Sequence, residues 1–319
     1  MIEPVAAMVR SGKHSEYPLE EVMTNSVGVI GLGNMGGGMA ASLARAGFNV
    51  TGVDTSEAAR EKAVASNVRI AADIAALAAS SDMILTMLPD SPDVEACMLG
   101  PGGVAEHVRP GTLVIEASTI APATTKAVAA ALTAKGCAFI DAPVGRAPAN
   151  AANGTLMFMV GASPEGFTRA KPYLDAMGTD IHHCGAVGTG IAMKLVLNLL
   201  GQSTCQLSAE VMALGLKMGL SLETLHPILT GGIGRNGFIA DYWPTKVLRG
   251  DTEPGFAIRL SAKDLRLAAA MAEEAGAPIP TGAAAAAAVN RAAVTHGHLD
   301  VSGMLTVACE NAGVKATFG

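Results

Sequence analysis

The sequence predicts an α/β protein, with a doubly wound parallel sheet followed by an all-α C-terminal domain joined to it by a long helix. Three observations support this prediction. Short aliphatic runs alternate with helical stretches from residue 27, a glycine-rich turn follows the first run, and strand signals stop near residue 188. We therefore expect an N-terminal extension over 1–26, a first domain over 27–188 and a helical domain over 189–319.

Each predicted strand is a short apolar run bounded by turn residues, as in a sheet buried on both faces. The predicted strands are 27–31, 49–54, 83–88, 112–117, 138–141 and 156–160. The predicted helices of the first domain are 36–46, 56–66, 121–135 and 164–176. After Gly190 helical periodicity replaces strand signals, and it predicts helices over 191–219, 221–229, 262–275 and 282–295.

Composition points to subunit contacts. Half of the 319 residues are hydrophobic but only 16% are charged, against roughly 25% in ordinary globular domains. An unusual share of helix surface is therefore predicted to be buried, and we expect a homodimer or homotetramer.

Charge and hydropathy exclude several classes of partner. The net charge is −6 and Lys and Arg form no runs, so a nucleic acid is not expected. No apolar stretch approaches the ~20 residues of a membrane span, and residues 1–26 lack a signal-peptide core. The five cysteines are scattered without a Cys-x-x-Cys pair, which predicts reduced thiols in a cytoplasmic protein.

The turn after the first strand fits a phosphate-binding motif. Gly31, Gly33 and Gly36 stand in the order Gly-x-Gly-x-x-Gly between a strand and a helix, which is typical of the Rossmann fold and its dinucleotide site. Asp54 ends the second strand, where a carboxylate accepts the ribose hydroxyls and repels a 2′-phosphate. NAD is therefore favoured over NADP, although Asp54 would also suit the N-cap of the next helix.

Lys194 is the charged residue of an otherwise apolar stretch between Gly190 and Gly201. Burial would lower its pKa towards the range of an acid–base catalyst, and Asn198 lies one turn away on the same face. During hydride transfer a carbonyl oxygen gains charge and needs a proton, and Lys194 could supply that proton. The alternatives are a snorkelling lysine and an internal ion pair.

Six motifs occur in order along the chain: GLGNMGGGMA (31–40), TMLP (86–89), EASTIAP (116–122), DAPVGRAPANAANGTL (141–156), GTGIAMKLVLN (188–198) and KDLRLA (263–268). They resemble those of the β-hydroxyacid dehydrogenase family. The resemblance implies an NAD-dependent oxidoreductase acting on a small anionic semialdehyde or hydroxy acid. It implies catalysis by Lys194, orientation of the substrate by Asn198, and binding of substrate by Ser118 and Thr119. The cofactor contacts that motif and resemblance together predict are Gly31, Gly33, Asn34, Met35, Gly36, Asp54, Leu88, Pro89, Thr119 and Lys263.

Two departures bear on the substrate. Gly145-Arg146-Ala147 replaces the Ser-Gly-Gly of most members, and the paired asparagines are reduced to Leu197-Asn198. The GRxxAN pattern (145–150) and WPTKVLRGD (243–251) resemble the branch that interconverts 3-sulfolactaldehyde and 2,3-dihydroxypropane-1-sulfonate. We therefore expect Gly145 and Arg146 to bind the substrate anion, because a guanidinium fork suits an oxyanion.

Alternatives remain for these assignments. Arg146 would otherwise be structural, tying its loop to the C-terminal domain. A carboxylate-specific 3-hydroxyisobutyrate dehydrogenase or tartronate semialdehyde reductase is the second candidate, and a non-catalytic dinucleotide-binding regulatory protein is a third. No metal is expected, since His182-His183-Cys184 and His296-Gly297-His298 have no partner set with metal-site spacing.

Overall fold

The computed structural model describes residues 26–314. The predicted N-terminal extension lies outside the described residues except for Ser26, which already belongs to the first strand. Strands and helices then alternate as β1 (Ser26–Ile30), α1 (Asn34–Arg45), β2 (Asn49–Val53), α2 (Glu57–Val64), β3 (Arg69–Ile70), α3 (Ile74–Ser80), β4 (Met83–Thr86), α4 (Ser91–Leu99), α5 (Val104–His107), β5 (Leu113–Glu116), α6 (Pro122–Thr133), β6 (Ala138–Asp141), β7 (Val144–Gly145), α7 (Pro148–Asn153), β8 (Leu156–Gly161), α8 (Pro164–Met177) and β9 (Gly178–Gly185).

The second half is helical. Its longer elements are α9 (Thr189–Lys217), α10 (Leu222–Gly231), α11 (Ile258–Glu274), α12 (Pro280–His296) and α13 (Met304–Ala312). Short helical turns over Phe238–Tyr242, Trp243–Thr245, Val247–Arg249 and Val301–Gly303 connect them. The proposed domain boundary, between 188 and 189, falls between β9 and α9.

The sheet has the strand order β3-β2-β1-β4-β5-β6-β8-β7, with β9 paired to β8. Neighbours are parallel except that β8 runs antiparallel to β6 and β7. The predicted fold class is therefore confirmed, and the sheet differs from a purely parallel one only at this edge. β9 is absent from the predicted strands because its pattern is polar and partly exposed, unlike a buried strand. Strand order reverses beside β1, and such a switch point opens a crevice at the carboxyl ends of the strands.

Hydrophobic layers lie on both faces of the sheet, and a separate core fills the helical domain. One face carries Val29 and Leu85, the other Ile30 and Ile84, because successive side chains of a strand point to opposite faces. Trp243 is fully buried in the helical core. Among residues 26–314, the structure has no helix with the length and apolarity of a membrane span.

Candidate active site

A crevice of about 530 Å³ opens where β1, β2 and β4 end. Apolar side chains line the crevice together with the glycine turn and the carboxylate that are predicted to bind a dinucleotide. The lining residues are Ile30, Gly31, Gly33, Val53, Asp54, Thr55, Ile74, Met87, Leu88, Pro89, Asp93, Ala96 and Cys97. The predicted cofactor contacts Gly31, Gly33, Asp54, Leu88 and Pro89 are thus brought together.

The glycine turn fits a pyrophosphate. Gly31 has a left-handed φ of 91°, and a Cβ there would collide with the carbonyl oxygen of Met87. A Cβ on Gly36 would collide with the carbonyl oxygen of Gly31, so this glycine lets α1 pack against the strand end. Gly33 faces open space and is the N-cap of α1, where no side chain satisfies the first N–H groups. Asn34 is exposed and Met35 partly buried at the same helix start. These free N–H groups suit a phosphate.

Asp54 is not the N-cap of α2, because that position is Ser56, whose side chain accepts the Ala59 N–H. The Oδ2 of Asp54 accepts the Leu32 N–H at 2.7 Å and its Oδ1 accepts the Ser56 N–H at 2.7 Å. Each carboxylate oxygen keeps a second lone pair, and the side chain is only partly buried. Asp54 therefore fixes two loops and can still accept ribose hydroxyl groups.

Buried polar bonds join the loops after β4 and β5. Ser118 Oγ accepts the Leu88 N–H at 2.8 Å, and Glu116 Oε1 accepts the Ser118 N–H at 2.7 Å. Thr86 Oγ1 donates to Glu116 Oε2 at 2.5 Å. Ser118 is 1% exposed, so this geometry does not support its predicted contact with the substrate. Its hydroxyl instead bonds the loop after β4 at Leu88.

Glu116 was not identified as a site residue from the sequence. Burial raises the pKa of its carboxyl, although its hydrogen bonds to Ser118 and Thr86 oppose that shift. The available signal was a carboxylate closing an otherwise apolar strand, and such a group needs buried partners.

Lys263 links the helical domain to the cofactor loops. Its Nζ donates to the carbonyl oxygens of Thr119, at 2.6 Å, and Pro89, at 2.8 Å. The KDLRLA motif by itself resembles a charged helix face, yet Lys263 is 9% exposed. Thr119 is partly buried, and its hydroxyl forms no hydrogen bond with the described residues. Lys263 thus joins the loops after β4 and β5, and its closing over a cofactor stays a prediction.

Lys194 lies near a polar cluster of Asn198, Asp264 and Lys263, and the described part of the chain gives its ammonium no hydrogen bond or ion pair. Asn198 Nδ2 donates to Asp264 Oδ2 at 2.6 Å, and Lys263 Nζ lies 3.3 Å from Asp264 Oδ1. Burial lowers the pKa of Lys194, the charge of Asp264 raises it, and the charge of Lys263 lowers it. Burial raises the pKa of Asp264, and both lysines counter that shift. The balance of these effects favours a Lys194 amine that can exist in both the protonated and the neutral form.

Arg146 is held inside its own domain. It has a left-handed φ of 79°, a conformation that costs a side-chain-bearing residue roughly 1–2 kcal/mol. Its guanidinium donates to the Thr155 carbonyl oxygen at 2.7 Å and to Asp180 Oδ2 at 3.0 Å. The His182 Nε2 lies 2.8 Å from the other oxygen of Asp180. Gly145 is buried in β7. The geometry supports a structural Arg146, tied to Thr155 before β8 and to β9 instead of the C-terminal domain. Among the described residues, no hydrogen bond or ion pair joins Arg146 to Lys194, Asn198, Lys263 or Asp264.

No group of three or more His, Cys, Asp or Glu within residues 26–314 has the arrangement of a metal site. In the described structure His182 pairs with Asp180, and His296 lies 3.2 Å from Glu310.

Two family models cover most of the chain. The model of the NAD binding domain of 6-phosphogluconate dehydrogenase matches residues 26–187. The model described as the NAD-binding of NADP-dependent 3-hydroxyisobutyrate dehydrogenase matches residues 188–308.

Relatives extend the match over nearly the full length. The chain is 36% identical to the 2-(hydroxymethyl)glutarate dehydrogenase of Eubacterium barkeri, over 92% of this chain and 98% of that protein. It is 36% identical to the 3-sulfolactaldehyde reductase of Escherichia coli, over 91% and 98%. A solved structure of Mycobacterium tuberculosis 3-hydroxyisobutyrate dehydrogenase with L-serine has a TM-score of 0.82 and 34% identity, and covers 89% of this chain and 99% of that one.

These relatives are dehydrogenases and reductases, which decides against the non-catalytic alternative. Their matches include both the strand ends that line the crevice and the helical half that carries Lys194. The chain belongs to the β-hydroxyacid dehydrogenase family, among the proteins similar to 3-hydroxyisobutyrate dehydrogenase, and is an NAD-dependent oxidoreductase acting on a hydroxyl group.

Proposed function

We propose that the enzyme interconverts a short anionic 3-hydroxy compound and its semialdehyde, with Lys194 as the proton-transfer group. The observation that carries this proposal is the placement of a lysine with lowered pKa among Asp264, Lys263 and Asn198. That cluster adjoins the carbonyl groups of Thr119 and Pro89 through Lys263. NADH, when bound, supplies the hydride that adds to the carbonyl carbon.

In the reductive direction the Lys194 ammonium gives its proton to the carbonyl oxygen as that oxygen gains charge. In the oxidative direction the neutral amine accepts the hydroxyl proton. Asp264 holds the amide of Asn198 through Nδ2, which leaves the Oδ1 of that amide to accept from a substrate donor other than the reacting hydroxyl, whose proton goes to Lys194. The free hydroxyl of Thr119 would contact the same substrate.

Within this substrate class, 3-sulfolactaldehyde and 2,3-dihydroxypropane-1-sulfonate are the first candidates. The GRxxAN pattern and a 3-sulfolactaldehyde reductase at 36% identity support them. A carboxylate semialdehyde is the second candidate, and the ion pair of Arg146 with Asp180 weakens the case for Arg146 as the anchor of the substrate anion. Measurement of kcat/KM for 3-sulfolactaldehyde, tartronate semialdehyde and, in the oxidative direction, 3-hydroxyisobutyrate separates these candidates. No turnover of any short semialdehyde, despite NADH binding, would contradict the proposed substrate class.

The role of Arg146 can be tested through its ion pair. If Arg146 binds the substrate anion, Arg146→Ala should raise the KM for the sulfonate far more than the KM for a neutral aldehyde of similar size. Asp180→Ala should then free the guanidinium and lower the KM for the sulfonate. If Arg146 is structural, both variants should instead lower the melting temperature and affect both aldehydes alike. Arg109→Ala, which removes the Arg109–Asp82 ion pair at 2.7 Å, is the control for loss of a comparable surface pair.

We also propose that α9 forms part of a subunit interface with a second copy of the chain. Leu200, Leu207 and Leu214 recur at seven-residue spacing and are 69%, 57% and 61% exposed, and Val211 and Met218 extend the same face. Light scattering at micromolar concentration should give a dimer or tetramer, and Leu207→Glu should shift it towards monomer. A monomeric wild-type protein would contradict this interface.

A further inference from the structure

Asp141 joins the two halves of the molecule at the start of α9. It closes β6 and is 1% exposed. Its Oδ1 accepts the Gly188 N–H at 2.6 Å, and its Oδ2 accepts the Ile191 N–H at 2.7 Å. The N-cap position of α9 is Gly188, which has no side chain to serve these groups. The Asp141 carboxylate therefore satisfies N–H groups at the start of α9 that an N-cap side chain would otherwise satisfy.

Two glycines let α9 approach the sheet this closely. A Cβ on Gly190 would collide with the carbonyl oxygen of Met159 and lie 2.7 Å from that of Asp141. A Cβ on Gly161 would collide with the Asp141 carboxylate and lie 2.8 Å from the Gly190 nitrogen. The helix start is thus held by both hydrogen bonds and direct packing of backbone on backbone.

Lys194 depends on this junction for its position. It follows Ile191 by three residues, or about 4.5 Å along the helix axis. The described residues give its ammonium no hydrogen bond or ion pair, so its place is set by the backbone of α9. We infer that Asp141 is a positioning residue for the proposed proton transfer: it fixes the start of α9 on the sheet and thereby the distance from Lys194 to a substrate on the β5 loop. This inference rests on the proposed role of Lys194.

Turnover and cofactor binding should respond differently to loss of the Asp141 contacts. The NAD crevice is built from β1, β2 and β4, whereas Asp141 contacts the start of α9 from β6. Displacement of a reacting group by about 1 Å can lower the rate about 10²-fold. Loss of the Asp141 contacts should therefore lower kcat while NADH binding persists.

Two variants test the junction from opposite sides. Asp141→Asn replaces one acceptor oxygen by an NH₂ group, which cannot accept an N–H. Gly190→Ala keeps the carboxylate but pushes the helix off the sheet. For each we expect kcat, per NADH-binding site, to fall by about 10²-fold, with the NADH Kd within about twofold of wild type. Counting sites by NADH fluorescence titration removes any unfolded fraction from kcat.

Matched controls are available in the same fold. Gly166 lies in the first turn of α8, where a Cβ would meet Ile140 and Ser163 at 3.4 Å, so Gly166→Ala should keep wild-type kcat. Asp300 is a fully buried carboxylate that accepts the N–H groups of Gly255 and Ser302. Asp300→Asn should lower the melting temperature without the selective loss of kcat.

The outcomes distinguish this inference from the proposed function. If Lys194→Ala is inactive while Asp141→Asn and Gly190→Ala keep wild-type kcat, the positioning role is wrong. It is equally wrong if the two variants lose kcat and NADH affinity in the same proportion. If Lys194→Ala retains turnover, the proposed function itself fails, whatever the Asp141 variants do.

Discussion

Replacement of Lys194 by Ala should lower kcat about 10²- to 10⁴-fold, the usual contribution of a positioned acid–base group. NADH affinity should change little, because the described cofactor crevice does not include Lys194. Steady-state kinetics in both directions, with NADH binding followed by fluorescence, measure the two effects separately.

The pH dependence gives a second signature of Lys194. Burial lowers the pKa of its amine, and reduction needs the ammonium whereas oxidation needs the neutral amine. The rate of semialdehyde reduction should therefore fall as pH rises through the lowered pKa, and the rate of hydroxy-compound oxidation should rise through it. Lys194→Ala should lose this inflection in both directions.

A lysine on the same helix provides the control. Lys217 ends α9 and is exposed, so Lys217→Ala should keep the wild-type rate and pH profile. Turnover retained by Lys194→Ala, with the inflection unchanged, would contradict the assignment of Lys194 as the proton-transfer group.

Replacement of Asp54 by Ala should reverse the cofactor preference. Hydrogen bonds to a charged group contribute about 1.5–3 kcal/mol, so kcat/KM for NADH should fall roughly 10- to 100-fold. kcat/KM for NADPH should rise, since the repulsion of the 2′-phosphate is gone. Initial rates with each cofactor give the ratio directly.

Arg60 provides a second test of the cofactor preference. Its guanidinium donates to the Asp54 carbonyl oxygen at 2.7 Å and so lies beside the ribose position, where it can pair with a 2′-phosphate. Adding Arg60→Ala to Asp54→Ala should cancel the gain with NADPH. Asp54→Asn removes the charge but keeps an acceptor oxygen for a loop N–H, so it controls for local unfolding. An unchanged ratio of kcat/KM for NADH to kcat/KM for NADPH in all three variants would show that Asp54 does not recognise the ribose.

Features carried by one short segment could be predicted from the sequence. The Gly31, Gly33 and Gly36 turn and Asp54 at the next strand end follow from local spacing. Lys194 stands out because a single charge interrupts an apolar helix. Each of these signals depends on neighbours within a few turns of chain, where periodicity and turn chemistry apply.

Features that depend on distant partners could not be predicted in this way. Asp264 meets Asn198 across 66 positions of sequence, and KDLRLA resembles an exposed face until that contact is known. Arg146 has the chemistry of an anion anchor, yet Asp180, 34 positions away, pairs with it. Ser118 matched a substrate motif, but its hydroxyl is engaged by Leu88.

The sequence by itself determined the fold class, the glycine turn with Asp54 at the next strand end, and the single charge of Lys194 in an apolar helix. Only the tertiary structure decided which charges meet that lysine, where the guanidinium of Arg146 lies, and how Asp141 seats the helix that carries Lys194. The physical reason is that propensity and periodicity act along the chain, whereas desolvation and ion pairing depend on distances between segments that the fold brings together.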